Sequence, residues 1–135
     1  MQVKIENGQL AQVSNLLFNL SLKGKQSRHR TKFIKLLNER VKEVEEQRIE
    51  LAKEHSKVDE GGEPIINGNQ FELKDVEEFQ KELKELFDEE MVIEGGDYQG
   101  MLKTVQKVLE ECDKEFSGQE AFTYDYICEQ FENAE

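Results

Sequence analysis

Residues 28–58 read RHRTKFIKLLNERVKEVEEQRIELAKEHSKV, and this stretch decides the fold. Its seam positions recur at alternating steps of three and four, the a/d pattern of a helix that packs along a thin stripe. These positions are Ile34, Leu37, Val41, Val44, Arg48, Leu51, His55 and Val58. Ser27 is the expected N-cap, and neither Pro nor Gly interrupts the run before Gly61. Such a helix would be about 45 Å long, so we expect the other elements to pack against it.

The elements before this helix are predicted to be short. Val3 and Ile5 alternate with polar residues and precede Asn7-Gly8, which indicates a strand followed by a turn. A helix of about 13 residues should follow, with an apolar face widened by Leu16 and Phe18. The short loop that contains Lys23 should then fold the long helix back antiparallel.

The elements after the long helix begin with a hairpin. Residues 63–73 hold Asn67-Gly68-Asn69 between two β-prone runs. We expect this hairpin to pack on helices or to pair with another strand, for which the N-terminal strand and residues 91–93 are available. A second strong helix is predicted over residues 74–90, running antiparallel to the long helix. A third is predicted over residues 98–116 and closed by Gly118, followed by a short helix that Thr123 caps.

Length and composition fit a single domain that spans residues 1–135. We predict the α+β class, mainly α: an antiparallel helical bundle on the helix of residues 28–58, with the small antiparallel hairpin of residues 63–73. The sequence shows neither a signal peptide nor an apolar run of membrane-spanning length, so no membrane partner is expected. Cys112 and Cys128 are interpreted as free, half-buried thiols.

Charge is strongly segregated along the chain. Residues 23–42 hold eight basic side chains and one acidic side chain, a net charge of +7. The other residues hold 10 basic and 29 acidic side chains, a net charge of −19, which together give the chain its −12. A body this negative would repel duplex DNA, so non-specific DNA binding is disfavoured.

The basic segment is the candidate ligand- or partner-binding site. The predicted site residues are Lys23, Lys25, Arg28, Arg30, Lys32 and Lys35. A phosphate-bearing ligand, nucleic acid or an acidic protein surface would suit such a cluster. The opposing interpretation is a solvated face, or cations already neutralised by carboxylates of the same chain.

No catalytic or metal motif accompanies the basic segment. The chain lacks Gly-x-Ser-x-Gly, His-Glu-x-x-His, a Walker loop and EF-hand spacing, and His29 and His55 are far apart in sequence. We therefore expect no enzymatic activity, no cofactor and no metal site.

Several stretches resemble a family of short proteins of unknown function from phages and prophages of Gram-positive bacteria. They are residues 3–10 (VKIENGQL), residues 22–25 (LKGK) with Ser27-Arg28 and Thr31-Lys32, and residues 115–118 (EFSG) with Tyr124-Asp125-Tyr126. The resemblance implies an accessory phage protein that acts in the host cytoplasm or in particle assembly, but it implies no activity and no functional residues.

The leading hypothesis is a non-enzymatic phage protein that binds a host or phage protein, and so inhibits or sequesters a host factor. Its contact surface would be the basic segment, Lys23 to Lys35. Two alternatives stay open: an oligomer that binds nucleotides or other small anions at a seam, and a virion-associated assembly protein built as a homo-oligomer through the heptad stripes.

Overall fold

The helices follow the 3.6-residue apolar periodicity of the sequence. The computed structural model describes residues 1–134. Within that range the helices are α1 (Leu10–Phe18), α2 (Gly24–Glu54), α3 (Val76–Asp88), α4 (Gly96–Glu111) and α5 (Gly118–Glu132). The strands are β1 (Val3–Glu6), β2 (Ile66–Asn67), β3 (Gln70–Phe71) and β4 (Glu90–Ile93), and a 3-10 turn (Asn7–Gln9) links β1 to α1. The predicted α+β, mainly α class is confirmed.

The long helix α2 has 31 residues, as many as predicted, but it begins and ends four residues earlier. Lys23, with an extended backbone, occupies the N-cap without a side-chain hydrogen bond, so the prediction of Ser27 as N-cap is wrong. The helix stops at Glu54 because the next residues pair with the hairpin. Lys57 N–H donates to the Glu72 carbonyl at 2.7 Å, and Val58 is drawn into a bridge with Pro64.

The strands form two small antiparallel sheets. β2 and β3 pair across Gly68-Asn69, where Gly68 has a φ of +66°, which confirms the predicted hairpin. Of the two arrangements expected for the hairpin, packing on helices is the one observed, and it pairs with neither the N-terminal strand nor residues 91–93. β1 pairs with β4 instead, in a register that sets Val3 opposite Ile93, and this leaves the hairpin against the end of α2.

The main core lies among β1, α1, the first half of α2, α4 and α5. Its fully buried large side chains are Phe33, Ile5, Leu10, Leu16, Leu17, Leu37, Leu102, Leu109, Ile127, Val3, Val13 and Val105. Val44 and Ala52 of α2 and Phe79 of α3 are also buried but stand outside this cluster. Two residues that the sequence pattern placed on apolar helix faces are exposed instead. Phe18 is 73% exposed and Val58 is 51% exposed.

The helices that flank α2 run antiparallel to it. Arg30 contacts the carbonyl ends of α1, while Asn7, at the start of α1, contacts Arg40 farther along α2. Phe79, near the start of α3, packs against His55 beyond the end of α2. The bundle therefore has the predicted antiparallel arrangement.

Two boundaries in the C-terminal third differ from the sequence expectation. Gly118 does not close the third helix. That helix, α4, ends at Glu111, and Gly118 begins α5 with a φ of +57°. Thr123 does not cap a short helix, because it is buried inside the 15-residue α5.

Asn7 ties β1, α2 and α3 together. Its side-chain NH₂ donates to the Leu86 carbonyl at 2.9 Å, and its side-chain carbonyl accepts from Arg40 Nε at 3.0 Å. Its backbone N–H donates to the Glu89 carbonyl at 2.8 Å. One nearly buried amide thus uses both side-chain polar atoms to join three elements.

Replacing Asn7 tests this junction. Asn7→Ala removes both side-chain bonds, so we expect the free energy of unfolding to fall by about 1–3 kcal/mol. Urea denaturation followed by circular dichroism measures the change. Asn19→Ala is the matched control because the Asn19 amide donates only to the Asn15 carbonyl at an exposed position. Equal losses in the two variants would contradict the assigned role of Asn7.

Candidate functional site: a basic face on the long helix

Four of the six predicted site residues share one exposed face of α2. They are Lys25, Arg28, Lys32 and Lys35, and all four are exposed. Their three- and four-residue spacing confines them to an arc of about 80° at 100° per residue. Along the helix axis they cover about 15 Å. We call these four residues the basic face.

The core fixes the direction of the basic face. Phe33, Ile34 and Leu37 are buried on the opposite side of the same turns. The Phe33 ring packs against Phe131 of α5, with ring centroids 5.9 Å apart. Because these apolar side chains point inward, the basic face, on the opposite side of α2, points to solvent.

Arg30 lies on the other side of α2 and is engaged in structure. Its Nη1 donates to the carbonyls of Leu17 and Leu20, each at 2.7 Å. Leu17 is in the last turn of α1 and Leu20 is two residues beyond it, where carbonyls lack the donors of a continuing helix. Arg30 thus caps α1 and fixes the α1–α2 turn, and we omit it from the basic face.

Lys23 is placed at one end of the basic face. It is exposed and precedes the helix, with an extended backbone. The positive end of the helix dipole opposes the charges of Lys23 and Lys25, a mild local cost that an anion would relieve.

The cations of the basic face have no carboxylate partner inside the described chain. Within residues 1–134, every ion pair with an N–O distance of 4.0 Å or less involves a basic residue outside the predicted site. Those residues are Arg40, Arg48, Lys53, His55, Lys57, Lys84 and Lys107. Intramolecular neutralisation, which the sequence left open, is therefore not seen.

Helix α4 supports the basic face from the side. The Lys32 ammonium lies 5.5 Å from the centroid of the Tyr98 ring, within range of a cation–π contact. His29 Nδ1 lies 2.8 Å from Thr104 Oγ1, whose hydroxyl donates to the Gly100 carbonyl, so the imidazole N–H donates to threonine. Sequence reasoning missed Tyr98 and Thr104, because nothing local links them to residues about 70 positions earlier.

A cleft of about 470 Å³ opens beside the α1–α2 loop. Its lining includes Leu20, Leu22 and Val108, together with Glu111, Asp113 and Lys114. The two carboxylates outnumber the single ammonium, so the cleft disfavours a small anion. The basic face itself is a convex helix surface, whereas small-molecule sites are concave.

The other polar groups near the C-terminus are held in unreactive states. Burial raises the pKa of the Cys128 thiol, which reduces the thiolate fraction at neutral pH. Cys112 and Cys128 are both free and half-buried, as predicted.

In the described part of the chain, no three His, Cys, Asp or Glu side chains converge as a metal site would require. No helix in this range is long and apolar enough to cross a membrane.

The fold and site define a small, mainly helical α+β protein whose acidic body carries one exposed basic helix face. The chain belongs to the family described as Protein of unknown function (DUF1617), whose model matches residues 1–135. Comparison with curated proteins and with solved structures found no match.

The different roles of Arg28 and Arg30 can be separated by substitution. Arg30→Ala removes the guanidinium hydrogen bonds to the Leu17 and Leu20 carbonyls, so we expect the free energy of unfolding to fall by about 1–2 kcal/mol. Arg28→Ala, on the exposed face, should change it by less than about 0.5 kcal/mol. Thermal and urea denaturation provide the measurement. If Arg28→Ala destabilises the chain as much as Arg30→Ala, the division between capping residue and basic face is wrong.

The titration of Tyr124 predicts how the stability of the fold declines at alkaline pH. Burial raises its pKa from 10.0 to about 12, and its hydroxyl donates to the Leu109 carbonyl at 2.6 Å. The folded state therefore holds this proton more tightly than the unfolded state. The resulting stability is fully present below pH 10 and is lost as pH rises toward 12.

Urea midpoints measured from pH 8 to 12 should show a smaller alkaline decline in Tyr124→Phe than in the parent chain. Some decline should remain, because burial also raises the pKa of Tyr126. An identical decline in parent and variant would show that Tyr124 titrates normally in the folded state.

Proposed function

We propose that this protein is a non-enzymatic binding protein whose basic face engages an acidic surface of another protein. One observation carries the proposal: Lys25, Arg28, Lys32 and Lys35 are exposed on one face and no carboxylate of residues 1–134 pairs with them. In a chain with 30 acidic residues, four such cations are an unusual local excess. An interface with complementary charge would gain both association rate and specificity from them.

The shape of the basic face favours an extended partner. A row of cations about 15 Å long on a convex helix meets a protein surface or an acidic helix more readily than a nucleotide. The cleft next to it carries Glu111 and Asp113, which oppose phosphate. The negative remainder of the chain likewise opposes duplex DNA. An acidic protein partner is therefore better supported than the small-anion alternative.

We propose a phage or prophage of a Gram-positive host as the biological setting. The support is the resemblance of residues 3–10, 22–32 and 115–126 to such proteins. In that setting the protein would act in the host cytoplasm, where it would bind a host or phage protein and inhibit or sequester it. Association with the virion is the alternative setting.

Charge reversal tests the basic face. Arg28→Glu, Lys32→Glu and Lys35→Glu, combined, should weaken binding to poly-glutamate and to the acidic partner by at least about 100-fold. Helicity should be unchanged, because all three side chains are exposed. Binding is measured by interferometry on the immobilised chain, with inorganic phosphate, ATP and duplex DNA as competing probes.

The matched control reverses three exposed lysines elsewhere, at Lys4, Lys74 and Lys81, and so makes the same change in net charge. It should retain most of the binding. An equal loss of binding affinity in the two triple variants would show that only the net charge of the chain matters, and this would overturn the proposal. Saturable binding of ATP that requires the basic face would instead favour the small-anion alternative.

A further inference from the structure

The second half of α2 carries an acidic row on the same side as the basic face. Glu43, Glu46, Glu50 and Glu54 recur at steps of three and four, and at 100° per residue they continue the line of Lys25, Arg28, Lys32 and Lys35. One line along the outer face of α2 is therefore positive in its first half and negative in its second. We call Glu43, Glu46, Glu50 and Glu54 the acidic row.

The acidic row is open to solvent. All four glutamates are exposed, and they border a shallow groove that also involves Leu51. Glu50 lies 3.4 Å from Lys53, the one basic residue on this part of the face, and Glu43 lies 4.0 Å from Arg40. Both pairs are surface pairs on the helix itself, which are weak and easily exchanged.

We propose that a second copy of this chain docks on this outer face, with the two α2 helices antiparallel around a two-fold axis. When the second α2 helix runs antiparallel to the first, the positive half of each helix lies against the negative half of the other. With Glu39 at the axis, Arg28 faces Glu50, Lys32 faces Glu46 and Lys35 faces Glu43. The symmetry repeats each pair, which gives six contacts between opposite charges.

The remaining charges fit this register less closely. Lys25 falls opposite Lys53, a like charge, but it lies within one residue of Glu54 at the end of the overlap. The two copies of Glu39 meet at the axis, each between Lys35 and Lys42 of the other copy. A register displaced by one heptad in one direction would leave Glu50 and Glu54 without basic partners, and the opposite displacement would set Lys32 opposite Lys53 and Glu39 opposite Glu46.

The packing of the monomer leaves this face open to solvent, with α4 at its side near Lys32. The a/d stripe of α2 is used inside the chain, where Ile34, Leu37 and Val44 are buried. Side-chain contacts from α4 reach α2 at His29 and Lys32, on its first half. The dimer is thus not a continuation of the heptad seam. It is an electrostatic contact, and we expect it to be reversible.

Self-association would cover the basic face. A second copy presents the kind of acidic surface that the proposed partner must present, so the partner and the second copy compete for the same cations. This regulatory consequence rests on the proposed function, but the dimer does not. In the absence of a partner, each copy would cover the basic face of the other. A partner whose surface is more acidic or more abundant would then displace the second copy.

Two charge-reversal variants and their mixture test the dimer. The first carries Arg28→Glu, Lys32→Glu and Lys35→Glu, which makes the outer face mainly acidic. The second carries Glu43→Lys, Glu46→Lys and Glu50→Lys, which makes it mainly basic. Sedimentation velocity over about 10 μM to 1 mM, at low ionic strength, should show a concentration-dependent dimer for the parent chain. Each variant alone should dissociate at least about 100-fold more readily than the parent, while an equimolar mixture should form a heterodimer.

A parent chain that remains monomeric over this range, or a mixture that does not associate, overturns the dimer. Circular dichroism of each variant checks that its helices are intact. The register is tested with Glu39→Cys in a Cys112→Ser, Cys128→Ser background. Cysteine at the axis should cross-link to itself under oxidation, and the same substitution at exposed Gln47 should not. Cross-linking at Gln47→Cys in place of Glu39→Cys would refute the proposed alignment.

The same variants separate this inference from the proposed function. The mainly basic variant keeps Arg28, Lys32 and Lys35, so it should bind poly-glutamate at least as tightly as the parent does. If it does so and the mixture fails to form a heterodimer, only the dimer is overturned. If the heterodimer forms and no variant binds an acidic protein or poly-glutamate, only the proposed function is overturned.

Discussion

The burial of Phe33 and Leu37 fixes the rotation of α2 about its own axis, and the rest of the surface follows from it. Both side chains are fully buried in the core that α1 and α5 share. A rotation of 100°, one residue, would expose them and turn a lysine inward. Because a buried unpaired charge costs far more than a displaced apolar side chain, the core allows one orientation. The basic face therefore needs no interaction of its own to hold its direction.

Arg30 illustrates what a cation on the core side of the helix requires. It is half-buried, and two carbonyls at the end of α1 accept its hydrogen bonds. Without these bonds the half-buried guanidinium would lose its hydrogen-bond partners in the protein. Arg30 thus holds α1 against α2, whereas Arg28, two residues earlier, faces solvent. Sequence proximity grouped these arginines, and helical geometry assigns them different tasks.

The periodic features of the fold could be predicted from the sequence, and the tertiary ones could not. The length of the long helix, the hairpin at Asn67-Gly68 and the antiparallel arrangement follow from spacing and turn chemistry. The end of α2 did not, because hydrogen bonds between residues 55–58 and the hairpin stop the helix before Val58. Gly118 was assigned the wrong role because a glycine with positive φ suits either end of a helix. For the site, spacing alone could have separated Lys25, Arg28, Lys32 and Lys35 from Arg30, but the support from Tyr98 required the fold.

The segregation of charge acquires a direction only when the chain is folded. In the sequence it is a block of +7 within a remainder of −19. On α2 it becomes one straight line, positive from Lys25 to Lys35 and negative from Glu43 to Glu54, on a rigid helix of 31 residues. A partner with a uniformly acidic surface can satisfy only the first half of that line and is repelled by the second. A partner whose own charges run in the reverse order satisfies both halves, and another copy of α2, turned end over end, has that order by symmetry.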